Sequence, residues 1–420
     1  MVNLVIFGVG KCSDRVENVL IKNKVCIVAY LDNNIEKQGT IRNEVEILAP
    51  KELNNIVYDY IIVSTRNYQN VFEQLLTYNI PKEKIIGYYE DNSSNIKKLK
   101  EFIDIGKWNS VVIKDKIDAE VDNIKKNINI RIDNLEYEIA EKLKDNKYFF
   151  PVFYSINTTI EKIIKDNCSL CRFGDGEFEL MENRKRPKFQ DVDSKLSIRL
   201  KEVLESKEDN ILIAIADNYG SLEKYNDDAA DAIRSYMTKE VRESHYKFLD
   251  KERIYHNAYL TRPYILYKNR EKAGKKFDDI KKIWNNRDIT IIEGEYTRMG
   301  IGNNLFSNVK SINRILAPSK NAFSVYDKII NSALYIDKNR LILLSLGPTA
   351  TVLAYDLAKF GYQAIDIGHL DNEYEWYQAK ADKRTSLPYK YVNEVNGGEN
   401  VSEFESIEYQ SQIIALINNN

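Results

Sequence analysis

Three acid-bearing segments hold residue types that do chemistry together. Arg172-Phe173-Gly174-Asp175-Gly176-Glu177 sets two carboxylates two residues apart just after an apolar run. In extended backbone such residues project to the same side, so Asp175 and Glu177 would converge on one cation. Two carboxylates completed by water or phosphate oxygens suit Mg²⁺ or Mn²⁺. Arg172 adds a charge-assisted donor for phosphate, and Gly174 lets a diphosphate approach the backbone in a turn that other residues resist. The competing reading is an ordinary Gly-Asp-Gly turn with solvated acids.

The second segment, Glu293-Gly294-Glu295-Tyr296-Thr297-Arg298-Met299-Gly300-Ile301-Gly302-Asn303-Asn304, carries more functional groups than a simple turn requires. Arg298 suits a phosphate and Asn303 or Asn304 a sugar or base; capping and turn formation by the asparagines is the plainer alternative. In the third, Gly368-His369-Leu370-Asp371-Asn372-Glu373, alternate positions would put His369, Asp371 and Glu373 on one side of an extended chain. That side would serve proton transfer, sugar-hydroxyl binding or metal ligation. Two helix starts also favour anions: Pro318-Ser319-Lys320-Asn321, with Ser319 or Asn321 as cap and Lys320 as the charge, and Leu346-Gly347-Pro348-Thr349, which lacks the Gly-Lys-Ser/Thr ending of a P-loop. Gly347 and Thr349 are the binding candidates there.

These segments need strands to position them. Ser169–Phe173, Ile211–Ala216, Ile289–Ile292, Leu341–Leu346 and Gln363–Ile367 read as strands, with helical periodicity at Lys195–Leu204, Asp227–Lys239, Ala322–Ser332 and Ala350–Phe360. The pattern predicts a Rossmann-like α/β domain over residues 148–410, with ligands at the carboxyl edge of its sheet. Residues 1–90 repeat the pattern on a smaller scale, with strands at Leu4–Phe7, Val25–Leu31, Tyr60–Val63 and Ile85–Tyr88 and helices at Arg15–Lys22 and Asn70–Tyr78. The turn Gly8-Val9-Gly10-Lys11-Cys12-Ser13, with Asp32 ending the second strand, reads either as a nucleotide site or as a structural tight turn, Ser13 standing where a dinucleotide fingerprint has its third glycine.

Residues 91–147 form a helical linker, opened by the polar signal Asp91-Asn92-Ser93-Ser94-Asn95. Ile117, Val121, Ile124, Ile128, Ile132, Leu135, Ile139 and Leu143 are spaced nearer to an eleven-residue repeat than to a heptad. Such a helix packs along a domain or pairs two chains, and residues 115–143 are the candidate homodimer segment. The fold class is therefore α/β: a small N-terminal Rossmann-like domain, a helical connector and a larger C-terminal one.

Composition narrows the setting. With 61 basic and 63 acidic residues and a net charge of −2, the chain has no general attraction to nucleic acid or anionic membrane. No apolar run reaches the length of a membrane span. Four cysteines in 420 residues form no disulfide framework, which fits a reducing, cytoplasmic setting. Cys168-Ser169-Leu170-Cys171 has redox or zinc spacing, but no second pair follows and histidine occurs only at 245, 256 and 369, so both cysteines read as small apolar strand residues.

Taken together, Arg172–Glu177, Glu293–Asn304, Pro318–Tyr326, Leu346–Thr349 and Gly368–Trp376 resemble, in order and context, the bacterial GT-D-fold glycosyltransferase family over about residues 150–395. In that family an Asp-x-Glu element holds a divalent cation beside the diphosphate of a nucleotide sugar; the matching residues are Asp175 and Glu177. The resemblance implies transfer of a hexose, typically from a UDP-sugar such as UDP-glucose, to a glycan or glycoprotein acceptor in surface glycan synthesis. On this reading Arg172, Arg298 and Lys320 assist the diphosphate, and the proton acceptor is Glu295, His369, Asp371 or Glu373. Residues 1–90 look like the small Rossmann-like modules found beside bacterial polysaccharide and glycosylation enzymes. Two rivals remain: an NAD-dependent nucleotide-sugar oxidoreductase or epimerase, for which residues 1–90 hold no convincing Tyr-x-x-x-Lys, and a non-catalytic scaffold.

Overall fold

Short β-branched and aliphatic runs separated by amphipathic stretches fold here as parallel strands, twice over. The computed structural model describes all residues except 66–67, 90–97, 99, 146, 185–189, 396 and 419–420, so the polar signal at 91–95 lies outside the described residues. The chain divides into two units, Met1–Asn127 and Ile128–Asn420.

The front unit holds strands β1 (Val2–Phe7), β2 (Val25–Leu31), β3 (Ile41–Arg42), β4 (Val45–Leu48), β5 (Tyr60–Val63) and β6 (Ile85–Gly87), in the order β3-β4-β2-β1-β5-β6. All pairs are parallel except β3 with β4. Consecutive residues of β1 alternate between two cores: Leu4 and Ile6 join one, Val5 and Phe7 the other. Both faces of a parallel sheet are thus covered, and the strands read as continuous apolar runs.

The Gly8 turn has φ +97°, and a Cβ there would lie 2.5 Å from the Thr65 side chain. Ser13 is fully buried; its Oγ donates to the Gly10 carbonyl at 2.7 Å and accepts from the Gly10 N–H at 3.0 Å. Asp32 is engaged from within, accepting from Val9 N (2.8 Å), Asn34 N (2.9 Å) and Lys37 Nζ (3.0 Å). Burial pushes its pKa up, but these donors outweigh it and the net shift is downward. A ribose hydroxyl would have to displace the chain's own hydrogen bonds, so the geometry fits the structural tight turn.

Among the described residues the rear unit holds nine strands: β7 (Val152–Phe153), β8 (Ser169–Phe173), β9 (Ile211–Ile215), β10 (Ile254–Asn257), β11 (Asp288–Gly294), β12 (Ser311–Ala317), β13 (Leu341–Ser345), β14 (Ala364–Asp366) and β15 (Ile413–Leu416). Their order is β15-β12-β11-β13-β14-β8-β9-β10-β7, and every pair is parallel. From β8 the chain runs outward through β9 and β10, then reaches the other half of the sheet and returns to β8's far side at β14. This reversal at β8 and β14 opens a crevice at the carboxyl edge.

The five strands expected from sequence are present, whereas β7, β10, β12 and β15 were not anticipated. β12 is interrupted by Asn313 and Arg314, and β15 lies beyond the expected domain end at 410. The stretch read as a helix over 322–332 is a 3-10 turn, Ala322–Val325, followed by the helix Tyr326–Ala333; that over 227–239 ends at Tyr236. Cys168 and Cys171 are buried free thiols, both with pKa raised chiefly by burial, as suits inert core residues.

His256, on β10, shares a 2.8 Å hydrogen bond with Thr159 Oγ1, stacks on Tyr154, and has its pKa lowered from 6.5 to about 4 by burial. A depressed histidine pKa means that the folded state resists protonation, so its contribution is complete above pH 6.5 and is lost as pH falls toward 4. The stability gap between the parent and His256→Gln should therefore narrow by up to about 3 kcal/mol over that window. Denaturant titration at several pH values measures it; a gap independent of pH would contradict the account.

Candidate active site

The carboxyl ends of β8, β9, β11, β13 and β14 open into one cleft of about 790 Å³. Arg172, Asp175, Glu177, Arg262, Asp366, His369 and Glu394 are among the residues lining it.

At the centre, Arg172 at the end of β8 binds the end of β14: Nε donates to the Asp366 carbonyl at 2.8 Å and Nη2 to the Asp366 carboxylate at 2.7 Å, while Nη1 reaches Thr261 Oγ1 at 2.9 Å. Burial raises the pKa of Asp366 despite this pairing. Gly368 makes the clasp possible. Its φ is +44°, and a Cβ would sit 1.9 Å from Arg172 Nη2. Gly368→Ala should dislodge the guanidinium and reduce turnover about tenfold, a loss of roughly 1.4 kcal/mol. Gly176→Ala is the control, since nothing lies within 4 Å of its Cβ position. Equal activity of the two variants would argue against the clasp.

The extended-chain geometry expected for Asp175 and Glu177 is not what forms. Gly174 caps a helix, Asp175–Met181, so the two acids leave opposite sides of a helical turn. Gly174 has φ −113° and Gly176 has no positive φ, so neither glycine is required by backbone conformation. Glu177 folds back to accept the Gly174 N–H at 2.7 Å, and its pKa is raised to about 7, by burial first and then by the charges of Asp366 and Asp175. Among the described residues no three His, Cys, Asp or Glu side chains gather into a ready-made metal cage. The donor set nevertheless fits a cation of the Mg²⁺ or Mn²⁺ kind. Two cleft-lining carboxylates, one with its pKa raised chiefly by burial, would supply part of a shell that phosphate and water oxygens complete.

The third segment is also helical, over Leu370–Gln378, with His369 at its cap, and its acids diverge. Asp371 is buried and accepts from Gly300 N (2.9 Å), Asn303 Nδ2 (2.8 Å) and Lys390 Nζ (2.6 Å). Glu373 accepts from Tyr264 N (3.1 Å) and Ile265 N (2.9 Å) and has its pKa raised by burial. His369 lines the cleft with its pKa lowered to about 4, by burial first and also by the Arg262 and Arg172 charges, so it is neutral at pH 7.

Other candidates lie elsewhere. Glu295 is half-exposed and outside the cleft lining. Arg298, in left-handed backbone at φ +49°, turns to the carbonyls of Tyr389 (3.0 Å) and Ser402 (2.9 Å), pinning the 380–404 segment. Asn303 bonds Asp371 and Glu375, and Asn304 accepts from Tyr374 Oη at 2.6 Å. Lys320 is exposed, pairs with Glu399 at 3.1 Å and is not among the residues lining the cleft. Neither proposed cap acts there as expected: Asn321 sits in left-handed backbone and its side chain binds Asp191. Gly347, φ +56°, lines the cleft ahead of the helix Pro348–Lys359, but Thr349 is fully buried with Oγ1 3.4 Å from Gln190.

The sequence reading missed Arg262, Asp366 and Glu394. Arg262 forks onto Glu394 at 2.6 and 3.1 Å. Burial pushes the Glu394 pKa up, yet Arg262, His369 and Arg384 hold it well below the usual carboxylate range. Asp366 had a readable signal at its strand end; a pairing across 132 residues, as between Arg262 and Glu394, had none.

Known proteins resemble this chain in sequence and fold. Residues 170–395 match the family described as glycosyltransferase GT-D fold, and residues 1–86 one described as C2185-like, N-terminal. The chain is 36% identical over 263 residues to a probable glycosyl transferase Gly of Streptococcus gordonii, covering 62% of this chain and 38% of that protein. It is 35% identical over 266 residues to the glycosyltransferase GlyD of Streptococcus pneumoniae serotype 4, covering 63% and 32%. It thus spans roughly a third of the length of these curated relatives. A solved structure described as the highly conserved domain of unknown function 1792, with a distinct glycosyltransferase fold, superposes with a TM-score of 0.61 at 38% identity, over 64% of this chain and 96% of that one. Another, described as a new glycosyltransferase from Streptococcus sanguinis, gives 0.61 at 35% identity, over 64% and 100%. The match spans more than half of the sequence, and this chain belongs to the GT-D-fold glycosyltransferase family.

Proposed function

We propose that the cleft transfers a hexose from a nucleotide sugar, a UDP-sugar in the first instance, to a glycan or glycoprotein acceptor in surface glycan synthesis, with Mn²⁺ or Mg²⁺ as cofactor. The observation that carries the metal requirement is charge. The cleft is lined by Asp175, Glu177, Glu179, Asp228, Asp366, Asp371, Asp382 and Glu394 against only Arg172, Arg262, Lys383 and Arg384. That acid excess repels a diphosphate. A divalent cation, when bound, offsets it and neutralises the charge that develops on the departing group.

The chain's own residues have distinct tasks. Asp175 and Glu177 would hold the cation, Arg172 fixes the β14 end through Asp366, and Arg262 holds Glu394 in its charged form. The helix Pro348–Lys359 begins beside Gly347 on the cleft, and the positive end of its dipole favours a phosphate there. On the acceptor side, Asp371 and Glu373 are committed to buried donors and Glu295 lies outside, which leaves His369, neutral and on the cleft, to take the acceptor hydroxyl's proton. Among the described residues no helix is long and apolar enough to cross a membrane.

Calorimetric titration with UDP tests the donor half alone. UDP should bind at least tenfold more tightly with Mn²⁺ than in EDTA, and this gain should vanish in Asp175→Asn. Equal affinity with and without metal would overturn the reading.

A further inference from the structure

We infer that the helix Ile105–Leu143 joins two copies of this chain along an exposed apolar stripe. The stripe has nine members in three triplets of the same spacing, recurring every eleven residues: Ile113, Ile117 and Val121; Ile124, Ile128 and Ile132; Leu135, Ile139 and Leu143. Eleven residues in three turns give about 3.67 per turn, close to the helix's own 3.6, so the nine side chains keep to one face along its length. That length is roughly 45 Å at about 1.5 Å per residue.

All nine are exposed, from 40% at Val121 to 74% at Leu143. They are not what fastens the helix to its own chain. Trp108, Val112 and Asp115 are buried in the front unit, and Asn134, Tyr137 and Ala140 in the rear one. Tyr137 Oη bonds Tyr246 Oη at 2.8 Å, and Glu138 pairs with Arg234 at 2.7 Å. Between 116 and 129 every residue but Ala119 is exposed, so this stretch gains almost nothing from packing within the chain. An isolated helix of that length is marginal in water.

The nine half-exposed side chains present on the order of 800 Å² of surface, above the roughly 300–600 Å² patch of an ordinary monomer and equal to the share each partner contributes to a stable interface. The period selects the occupant. Knobs meet holes along a whole stripe only when the partner has the same repeat, and a second copy of this helix has it by identity. The spacing 4-4-3-4-4-3-4-4 reads the same from either end, so central Ile128 faces its counterpart whether the helices run parallel or antiparallel.

Sedimentation equilibrium of the full chain at micromolar concentration should give twice the 48.9 kDa chain mass. The triple variant Ile124→Glu/Ile128→Glu/Ile132→Glu should give the monomer mass with unchanged thermal unfolding of the rear unit. A monomeric parent, or a triple variant that stays dimeric, would overturn the inference. Because three charges on a helix can unfold it, a milder pair decides independently. In a Cys26→Ser background, Ile128→Cys should oxidise to a disulfide-linked dimer, and Lys126→Cys, on the opposite face, should not. No cross-link at 128, or equal cross-linking at both positions, would refute the pairing.

Discussion

Asp175→Asn is expected to lower turnover of a nucleotide-sugar donor by about 10²–10³-fold while leaving the fold intact. The substitution keeps shape and removes one charge from the first turn of the helix Asp175–Met181, where Asp175 lines the cleft and is only partly buried. Loss of a favourable acid at a helix N-terminus costs about 0.3–1 kcal/mol, so the melting temperature should fall by only a few degrees. Activity therefore separates from stability in this variant. A variant that turns over donor at the parent rate would remove Asp175 from the cation site; one that loses its fold would show that the acid is structural.

Arg314→Met should have the opposite profile, with a large loss of stability. Arg314 and Glu293 form an ion pair with side chains 1% and 0% exposed, on the adjacent strands β12 and β11 near the β15 edge of the sheet. Arg314 also donates to the Met299 carbonyl at 2.9 Å and to Gln412 Oε1 at 2.8 Å, and Glu293 accepts the Met299 N–H at 2.8 Å. Removing one partner strands the other charge in the core at a cost of about 3–5 kcal/mol. The melting temperature of the rear unit should drop on the order of 10 °C. Because the pair holds Met299 by both its N–H and its carbonyl, the loop lining the cleft should loosen as well. The double variant Arg314→Met/Glu293→Gln should recover part of the loss, since the stranded carboxylate is gone. Additive losses in the double variant would show that the two residues act separately.

The same pair shows why some of the fold was legible in the sequence and some was not. The strand Ile211–Ile215 and residues Leu341–Leu344 of β13 are unbroken apolar runs, as parallel strands covered on both faces must be, and they are readable directly. β12 carries Arg314 at its middle, a residue that a sequence reading assigns to solvent; only its neutralisation by Glu293 on the next strand permits burial there. β10 reads Ile-Tyr-His-Asn, and its polar half is satisfied by Thr159 and Asp217 from distant segments.

In the candidate site, the segments singled out by sequence contribute residues to one cleft, but their backbone differs from the extended geometry expected. Alternation at 175/177 and at 369/371/373 predicts an extended backbone, but both segments lie just past strand ends and turn at once into helices. There residues two apart diverge: Asp371 goes to Lys390 and Glu373 to the backbone of Tyr264 and Ile265. Arg298 and Lys320 were credited with phosphate contacts because of their charge, yet each closes the 380–404 segment over its own loop, through Tyr389, Ser402 and Glu399.

Donor turnover tests the central claim most directly. UDP- and other nucleotide sugars are incubated with the parent chain and with Asp175→Asn, in Mn²⁺ and in EDTA, and release of the nucleoside diphosphate is followed. The account predicts that the parent releases UDP from at least one UDP-sugar in Mn²⁺, and that EDTA or Asp175→Asn abolishes the release. No metal-dependent release from any donor by the parent chain would contradict it.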